Sequence, residues 1–213
     1  MALKNHSRVH IQQSLRRLVG KKAIADLLRE NIDSHEITGY VVDLSSDFVL
    51  IHFKSNAITL DGYTIVRIQD ITRVEDKPKR GEFYMEALKL RGYTPKRPAG
   101  INLNSAASIL ESVNKHYPLV TVHREGIIND ECTVGRIEKL TDKTVILQWL
   151  TPSAQWDGYS PRYRLTNITK IDFGGLYEDA LALVARIQPD PSGFFGAAVL
   201  QNPITQPPLN PSG

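Results

Sequence analysis

Alternating apolar and polar residues divide much of the chain into short segments of strand character, separated by polar or glycine-containing turns. The alternation occupies two stretches, and each stretch predicts four strands. The predicted strands are 36–44, 48–54, 63–68 and 71–75 in the first stretch, and 132–140, 144–150, 162–165 and 169–172 in the second. This pattern predicts a mainly β protein.

The two stretches also have related sequences. Residues 39–75 and 135–172 align with one insertion near Pro161, and both contain Asp-Gly-Tyr, then Arg, then Ile-Thr. The matched residues are Asp61-Gly62-Tyr63, Arg67 and Ile71-Thr72 in the first copy, and Asp157-Gly158-Tyr159, Arg164 and Ile168-Thr169 in the second. A repeat predicts one supersecondary structure that occurs twice. Because Gly accepts positive φ, Asp-Gly predicts a hairpin turn in both copies.

Helical periodicity flanks both stretches and predicts helices over 9–19, 82–91, 104–116 and 176–187. Propensity alone would extend the first helix through 23–30. The matching segment 119–125 is instead rich in β-branched residues and follows Pro118, which favours a strand. We therefore predict a strand in both places.

The repeat predicts two units in the chain. The first unit is 1–92 and the second is 104–188, and each consists of a helix, the barrel strands and a closing helix. Residues 93–103 form the linker. The tail 189–213 is rich in proline, and we expect it to be largely irregular.

The two faces of the predicted strands differ between the copies. One face is apolar in both, which is typical of the interior of a small barrel. Its residues are Val49, Ile51 and Phe53 in the first copy and Val145, Leu147 and Trp149 in the second. The opposite face is apolar only in the first copy, at Tyr40, Val42, Phe48 and Leu50. Large exposed apolar patches are unusual, so the N-terminal helix, the other unit, a protein partner or a second copy should cover this candidate interaction face.

Positive charge is concentrated near the N-terminus of the chain. The net charge is only +3, yet the first 24 residues contain six Lys or Arg residues and no acid. Arg16, Arg17, Lys21 and Lys22 form a candidate basic patch that could hold phosphates, and the alternative is a solvated helix face.

Composition limits the remaining function classes. Cys132 is the only cysteine, so the chain alone can form neither a disulfide nor a thiolate metal site. No apolar run is long enough to span a membrane, and the basic N-terminus lacks the apolar core of a secretory signal. We therefore expect a cytoplasmic protein without a membrane contact.

The candidate ligand-binding residues are the repeated Tyr63, Tyr159, Arg67 and Arg164. An arginine offers a planar fork to phosphate or carboxylate, and a tyrosine can stack on a ligand. The alternatives are a salt bridge for the arginines and core or rim packing for the tyrosines. We find no acid, base and nucleophile set, and therefore expect no enzyme, no metal site and no cofactor.

The repeated Asp-Gly-Tyr, Arg and Ile-Thr residues resemble those of a bacterial family of uncharacterised proteins. More distantly, the helix followed by the glycine-containing strand from Gly39 to Ile51 resembles SH3-like barrels, particularly Sm-like ones. Ile68 and Leu165 follow the arginines where the Sm pattern has glycine. The resemblance implies a mainly β (α+β) fold of tandem duplicated SH3-like or Sm-like barrels, each flanked by helices.

Together these observations predict a non-catalytic binding or assembly protein that contacts another protein or a second copy of itself. The alternative is RNA or single-stranded nucleic-acid binding. That alternative uses the basic patch and the repeated arginines, because barrels of this size combine basic grooves with aromatic platforms.

Overall fold

The computed structural model describes residues 2–21, 23–76, 78–128 and 131–187, and the fold there is mainly β. Ten strands form one open sheet in which all neighbours are antiparallel, and four helices accompany it. The strands are β1 (Ile24–Arg29), β2 (Asp33–Leu44), β3 (Phe48–Lys54), β4 (Leu60–Arg67), β5 (Arg73–Asp76), β6 (Val120–His123), β7 (Cys132–Leu140), β8 (Thr144–Trp149), β9 (Arg162–Arg164) and β10 (Lys170–Phe173). The helices are α1 (Ala2–Leu18), α2 (Pro78–Leu90), α3 (Ala106–His116) and α4 (Leu176–Val184).

The strand order across the sheet is β5-β1-β2-β3-β4-β10-β6-β7-β8-β9. The first five strands occupy one half of the sheet and the last five occupy the other. The two halves join where β4 pairs with β10, with Val66 opposite Lys170 and Tyr63 opposite Phe173. We call this contact the junction. The strands at the two ends of the sheet are β5 and β9.

Most predicted elements are confirmed, including the uncertain strand at 23–30, which is β1. Ser105 caps α3, where its side chain accepts a hydrogen bond from the Ser108 N–H at 3.1 Å. Two short 3₁₀ turns were not predicted: Ile68–Asp70 lies between β4 and β5, and Leu165–Asn167 lies between β9 and β10. The tail 189–213 lies outside the described residues.

Glycine lets the second strand of each half bend over its neighbour. A Cβ on Gly39 would lie 2.5 Å from the His52 carbonyl oxygen, and a Cβ on Gly135 would lie 2.2 Å from that of Gln148. A register shift follows each glycine, between Val41 and Asp43 in β2 and between Ile137 and Lys139 in β7. Such shifts increase local twist and curvature.

The prediction of a hairpin turn at Asp61-Gly62 was wrong. These residues lie inside β4, and the turn between β3 and β4 lies earlier, where the Ser55 N–H donates to the Thr59 carbonyl at 3.0 Å. Gly62 has φ +68°, and the backbone of Gly175 approaches it so closely that a Cβ would lie 2.5 Å from the Gly175 nitrogen. The dipeptide therefore serves close packing at the junction.

One apolar core crosses the junction. It joins β3 and β4 to α3 and to the strands of the second half, and Leu50, Ile65, Leu110, Leu147 and Phe173 are buried members. A second core lies under α1, with Leu15, Leu27 and Val49 fully buried. The halves share interior surface, so burial of apolar area stabilises them together.

Candidate functional site

The repeated motif of the first half lies at the junction. Tyr63 is 7% exposed and stacks between His52, with ring centroids 4.5 Å apart, and Phe173, at 5.5 Å. Tyr117 meets the Phe173 ring edge-on at 4.8 Å. Burial raises the pKa of Tyr63 well above its ordinary value, and burial lowers that of His52 to about 4. Tyr63 is a packing residue, because both faces of its ring are covered.

The aspartate of the same motif binds the start of α4. The Asp61 Oδ1 accepts a hydrogen bond from the Leu176 N–H at 2.7 Å. The first N–H groups of a helix lack intrahelical partners and carry a partial positive charge, so a carboxylate there is stabilising. Glu178, in the first turn of α4, is buried and accepts a hydrogen bond from the Thr121 hydroxyl. Burial raises the pKa of Glu178.

The arginine of the motif, Arg67, also crosses the junction. Its Nε donates to the Asp70 carboxylate at 2.5 Å, and its Nη1 donates to the Thr166 carbonyl oxygen at 2.7 Å. Thr166 belongs to the second half, in the 3₁₀ turn that follows β9. Of the two roles that the sequence left open for Arg67, the salt bridge is the one observed. A carboxylate binds its Nε and a carbonyl of its own chain binds its Nη1.

The same motif in the second half lies at the open edge of the sheet. Tyr159 is 66% exposed, and Asp157 only closes a local turn by accepting the Tyr159 N–H at 2.8 Å. A Cβ on Gly158 would have nothing within 4 Å. Arg164 is exposed, and within the described ranges its side chain has no hydrogen bond or ion pair. We call Tyr159, Arg164 and the outer side of β9 the open-edge site.

A buried ion pair, which the sequence did not reveal, also links the halves. The fully buried Arg29 donates from Nη1 and Nη2 to the two oxygens of Glu125, at 2.6 and 2.8 Å. Burial would raise the pKa of Glu125, but hydrogen bonds from Arg29 and Thr169 lower it to about 2. The available signal was an Arg-Glu dipeptide that ends both predicted strands, at 29–30 and 124–125.

A polar cleft of about 670 Å³ lies beside this ion pair. Its walls include His35, His123, Glu125, Cys132 and Lys170. His123 Nε2 lies 2.7 Å from Asp172, and burial raises the pKa of the Cys132 thiol. A raised thiol pKa disfavours the thiolate, so this Cys and His arrangement does not resemble an activated nucleophile.

The candidate interaction face of the sequence is largely covered by the chain itself. Tyr40 and Leu50 are 2% and 0% exposed, and Val42 and Phe48 pack against the same cores. The N-terminal helix packs in the other core, on the opposite face of these strands. The cover comes from α2, through Leu88, and from the second half and α3, which surround Leu50. Tyr40 and Leu50 are therefore not available to a partner, and Val42 and Phe48 are half-buried.

The basic patch has a different position. Arg16 and Arg17 are exposed at the end of α1, Lys21 is exposed just after it, and Lys22 lies outside the described residues. These cations lie apart from Arg67 and Arg164 in the sequence, and α1 packs on the first half, against β2, β5 and the first 3₁₀ turn.

No family model, curated protein or solved structure matches the chain. Across the four described ranges, no helix combines the length and the apolar character needed to cross a membrane. In the same residues, no group of three or more His, Cys, Asp or Glu side chains is arranged to hold a metal ion.

Proposed function

We propose that the chain is a non-catalytic binding or assembly protein that acts through protein–protein contacts. We further propose that it consists of two SH3-like, Sm-like units, 1–92 and 104–188, that arose as a tandem repeat. The units would bind side by side through the junction. The bacterial family with the Asp-Gly-Tyr, Arg and Ile-Thr pattern stays our proposed relative.

The parallels between the halves support the repeat. The order β5-β1-β2-β3-β4 has the same form as β10-β6-β7-β8-β9. Arg67 and Arg164 both precede a 3₁₀ turn, with backbone angles of −74°, 131° and −74°, 132°. Thr72 and Thr169 both donate their N–H to the first strand of their half, at 2.8 and 3.0 Å. Equal local geometry at matched positions is expected of a duplicated supersecondary unit.

One observation carries the protein-binding proposal. At the junction the motif of Tyr63 and Arg67 is occupied by a strand, a turn and a helix of the other half. At the open-edge site the matching Tyr159 and Arg164 stand exposed beside a strand that ends the sheet. An unpaired strand edge offers N–H and C=O groups to another chain, and an added strand is a common mode of protein recognition.

A photocrosslinking amino acid at position 159 tests this function. Illumination of the full chain in its native cells should give covalent adducts that protease removes and nuclease leaves intact. The matched control places the same probe at Tyr177, which is 51% exposed on α4 and not on an edge strand. Adducts no more abundant at position 159 than at the control would overturn the proposal.

RNA or single-stranded nucleic-acid binding is the second candidate. The observation in its favour is the exposure of Arg16, Arg17 and Lys21 next to one another. Because phosphate contacts release counterions, such binding should weaken steeply with salt. Fluorescence anisotropy of a labelled single-stranded RNA, at low and moderate salt, measures it. Replacing the basic patch, Arg16, Arg17, Lys21 and Lys22, by Glu should abolish binding, and unchanged affinity would contradict it.

A further inference from the structure

We propose that the protein bound at the open-edge site is a second copy of this chain. Its β5 strand would pair with β9 and repeat between molecules the contact that β10 makes with β4 within one molecule. This inference rests on the proposed function, since it names the partner of the same edge.

The sheet order supplies the geometry. Within the sequence repeat, β4 corresponds to β9 and β10 corresponds to β5. The chain therefore contains two copies of each surface of the junction. At the junction, the surface of β4 binds the surface of β10. The matching surface of β9 and the matching surface of β5 lie on the two strands that end the sheet. Such a contact is head-to-tail, so copies of the chain would add in one direction and form a closed ring or an open filament.

Arg164 supplies a specific contact. Arg67 donates to the Thr166 carbonyl in the 3₁₀ turn of the other half, and the matching turn of the first half is Ile68–Asp70. Gln69 occupies the position of Thr166 in that turn. In the proposed pairing, Arg164 donates to the Gln69 carbonyl oxygen of the second copy, which gives a partner to a guanidinium that has none in the described chain.

The backbone of the edge is compatible with pairing. The Pro161 carbonyl accepts the Leu147 N–H at 3.1 Å, so Pro161 faces β8. Because neighbouring strand residues point their backbone groups to opposite sides, Arg162 faces the open edge. Proline lacks an N–H, and here the missing donor falls on the side that a second copy would not use.

The side chains set the strength of the contact. By analogy with the junction, Arg162 would lie opposite Val74 and Tyr163 opposite Arg73. The β9 edge carries Arg162 and Arg164, whereas β5 carries Arg73, Glu75 and Asp76 and has a formal net charge of −1. Glu75 already pairs with Arg73 at 2.9 Å, so the attraction between the two strands is modest. Asp76 replaces the aromatic Phe173 of the junction. We therefore expect a weaker, concentration-dependent association that falls with salt, because opposite charges favour encounter and are screened by ions.

Sedimentation velocity of the purified full chain over a wide concentration range is the first measurement. The sedimentation coefficient should rise with concentration, and rise less at high salt. Arg164→Ala should weaken association by about tenfold or more, the loss expected for one hydrogen bond from a charged group. Arg136→Ala is the control, since it removes the same charge from β7, which is paired on both sides, and should leave association unchanged.

Arg162→Pro provides a second variant that spares the internal ladder. It removes an N–H from the open edge only, so far-UV circular dichroism should stay the same while association weakens by about tenfold. A folded Arg162→Pro protein that associates as well as the unaltered chain would overturn the β9 contact.

Disulfide trapping identifies the register. In a Cys132→Ser background, Arg162→Cys with Val74→Cys should give a ladder of covalent oligomers under oxidation, because facing strand residues lie within disulfide range. Each single replacement can give a dimer at most. Absence of the ladder from the double variant would overturn the register.

The outcomes separate this inference from the proposed function. If the purified chain stays monomeric while position 159 crosslinks to a different protein, the second copy is wrong and the proposed function stands. If position 159 crosslinks only within its own chain, for example to residues 188–213, both are overturned. Crosslinks between two copies, together with the disulfide ladder, support both.

Discussion

The same motif lies in opposite surroundings in the two halves. In the first half it lies on β4, and in the second half it lies on β9 and the segment just before β9. On β4, Tyr63 is covered on both ring faces and Arg67 donates across the junction. In the second half, Tyr159 precedes β9 and is 66% exposed, and Arg164 on β9 has no bonding partner in the described ranges. The difference teaches that the motif residues do not define a ligand pocket by themselves. Their role depends on whether another strand lies alongside, so we expect matched substitutions at the two strands to differ widely.

Replacing the two tyrosines should give the largest contrast. Tyr63→Ala removes a buried ring from the aromatic stack and should cost about 4 kcal/mol of unfolding free energy. Tyr159→Ala removes an exposed ring and should change it by about 0.5 kcal/mol or less. Urea unfolding measures both. Similar losses would mean that Tyr159 is packed in solution, as it would be in a tight oligomer, so the measurement is made at the lowest usable concentration.

Replacing the two glutamates compares the buried ion pair with its exposed counterpart. Glu125→Ala leaves Arg29 buried without its main anion and should cost about 3 kcal/mol. Glu30→Ala removes a half-exposed pair with Arg73, at 3.1 Å, and should cost about 0.5 kcal/mol. Equal losses of unfolding free energy in the two variants would contradict a larger stabilisation by the buried pair than by the exposed pair.

The same pair predicts how stability depends on pH. The pKa of Glu125 in the folded chain is about 2, below its ordinary value, so its contribution is fully present above that ordinary value. It should be lost as pH falls towards 2. Melting temperature against pH should therefore fall less steeply in Glu125→Ala than in the unaltered chain, and parallel curves would contradict this assignment.

The two glycines should give an intermediate contrast. Gly62→Ala places a Cβ 2.5 Å from the Gly175 nitrogen at a residue with φ +68°, and should cost at least about 2 kcal/mol. Gly158→Ala meets nothing within 4 Å and should change stability by about 0.5 kcal/mol or less. The denaturant midpoints of the two variants measure these changes in stability. If Gly62→Ala were as stable as the unaltered chain, β4 and α4 could separate without loss of unfolding free energy.

The two aspartates should give the smallest contrast. Asp61→Ala removes the acceptor at the start of α4 and should cost about 1 kcal/mol. Asp157→Ala removes only a local turn bond and should cost about 0.5 kcal/mol. Asp61→Asn keeps an acceptor oxygen and is the control. If it loses as much stability as Asp61→Ala, the charge at the helix start matters more than the hydrogen bond.

Strand and helix positions were predictable because they depend on local periodicity. Aligning the two stretches corrected the one ambiguous segment, since the β-branched residues of 119–125 identified β1 where helix propensity misled. One buried face was predictable on β3 and on β8, where Val49, Ile51, Val145 and Leu147 are fully buried. The other side of β3, with Leu50, is buried by α3 and the second half, a long-range contact that alternation within one strand does not encode.

By itself, the sequence determined the mainly β class, the element order and the matched motif, because these follow from the spacing of residues along the chain. Only the tertiary structure decided which edge of which half is occupied. The pairing of β4 with β10 buries Tyr63, engages Arg67 and places Asp61 at the start of α4, while β9 has no such neighbour in the sheet. The matched motif residues cannot reveal this difference, because an edge strand is occupied or open according to what folds against it.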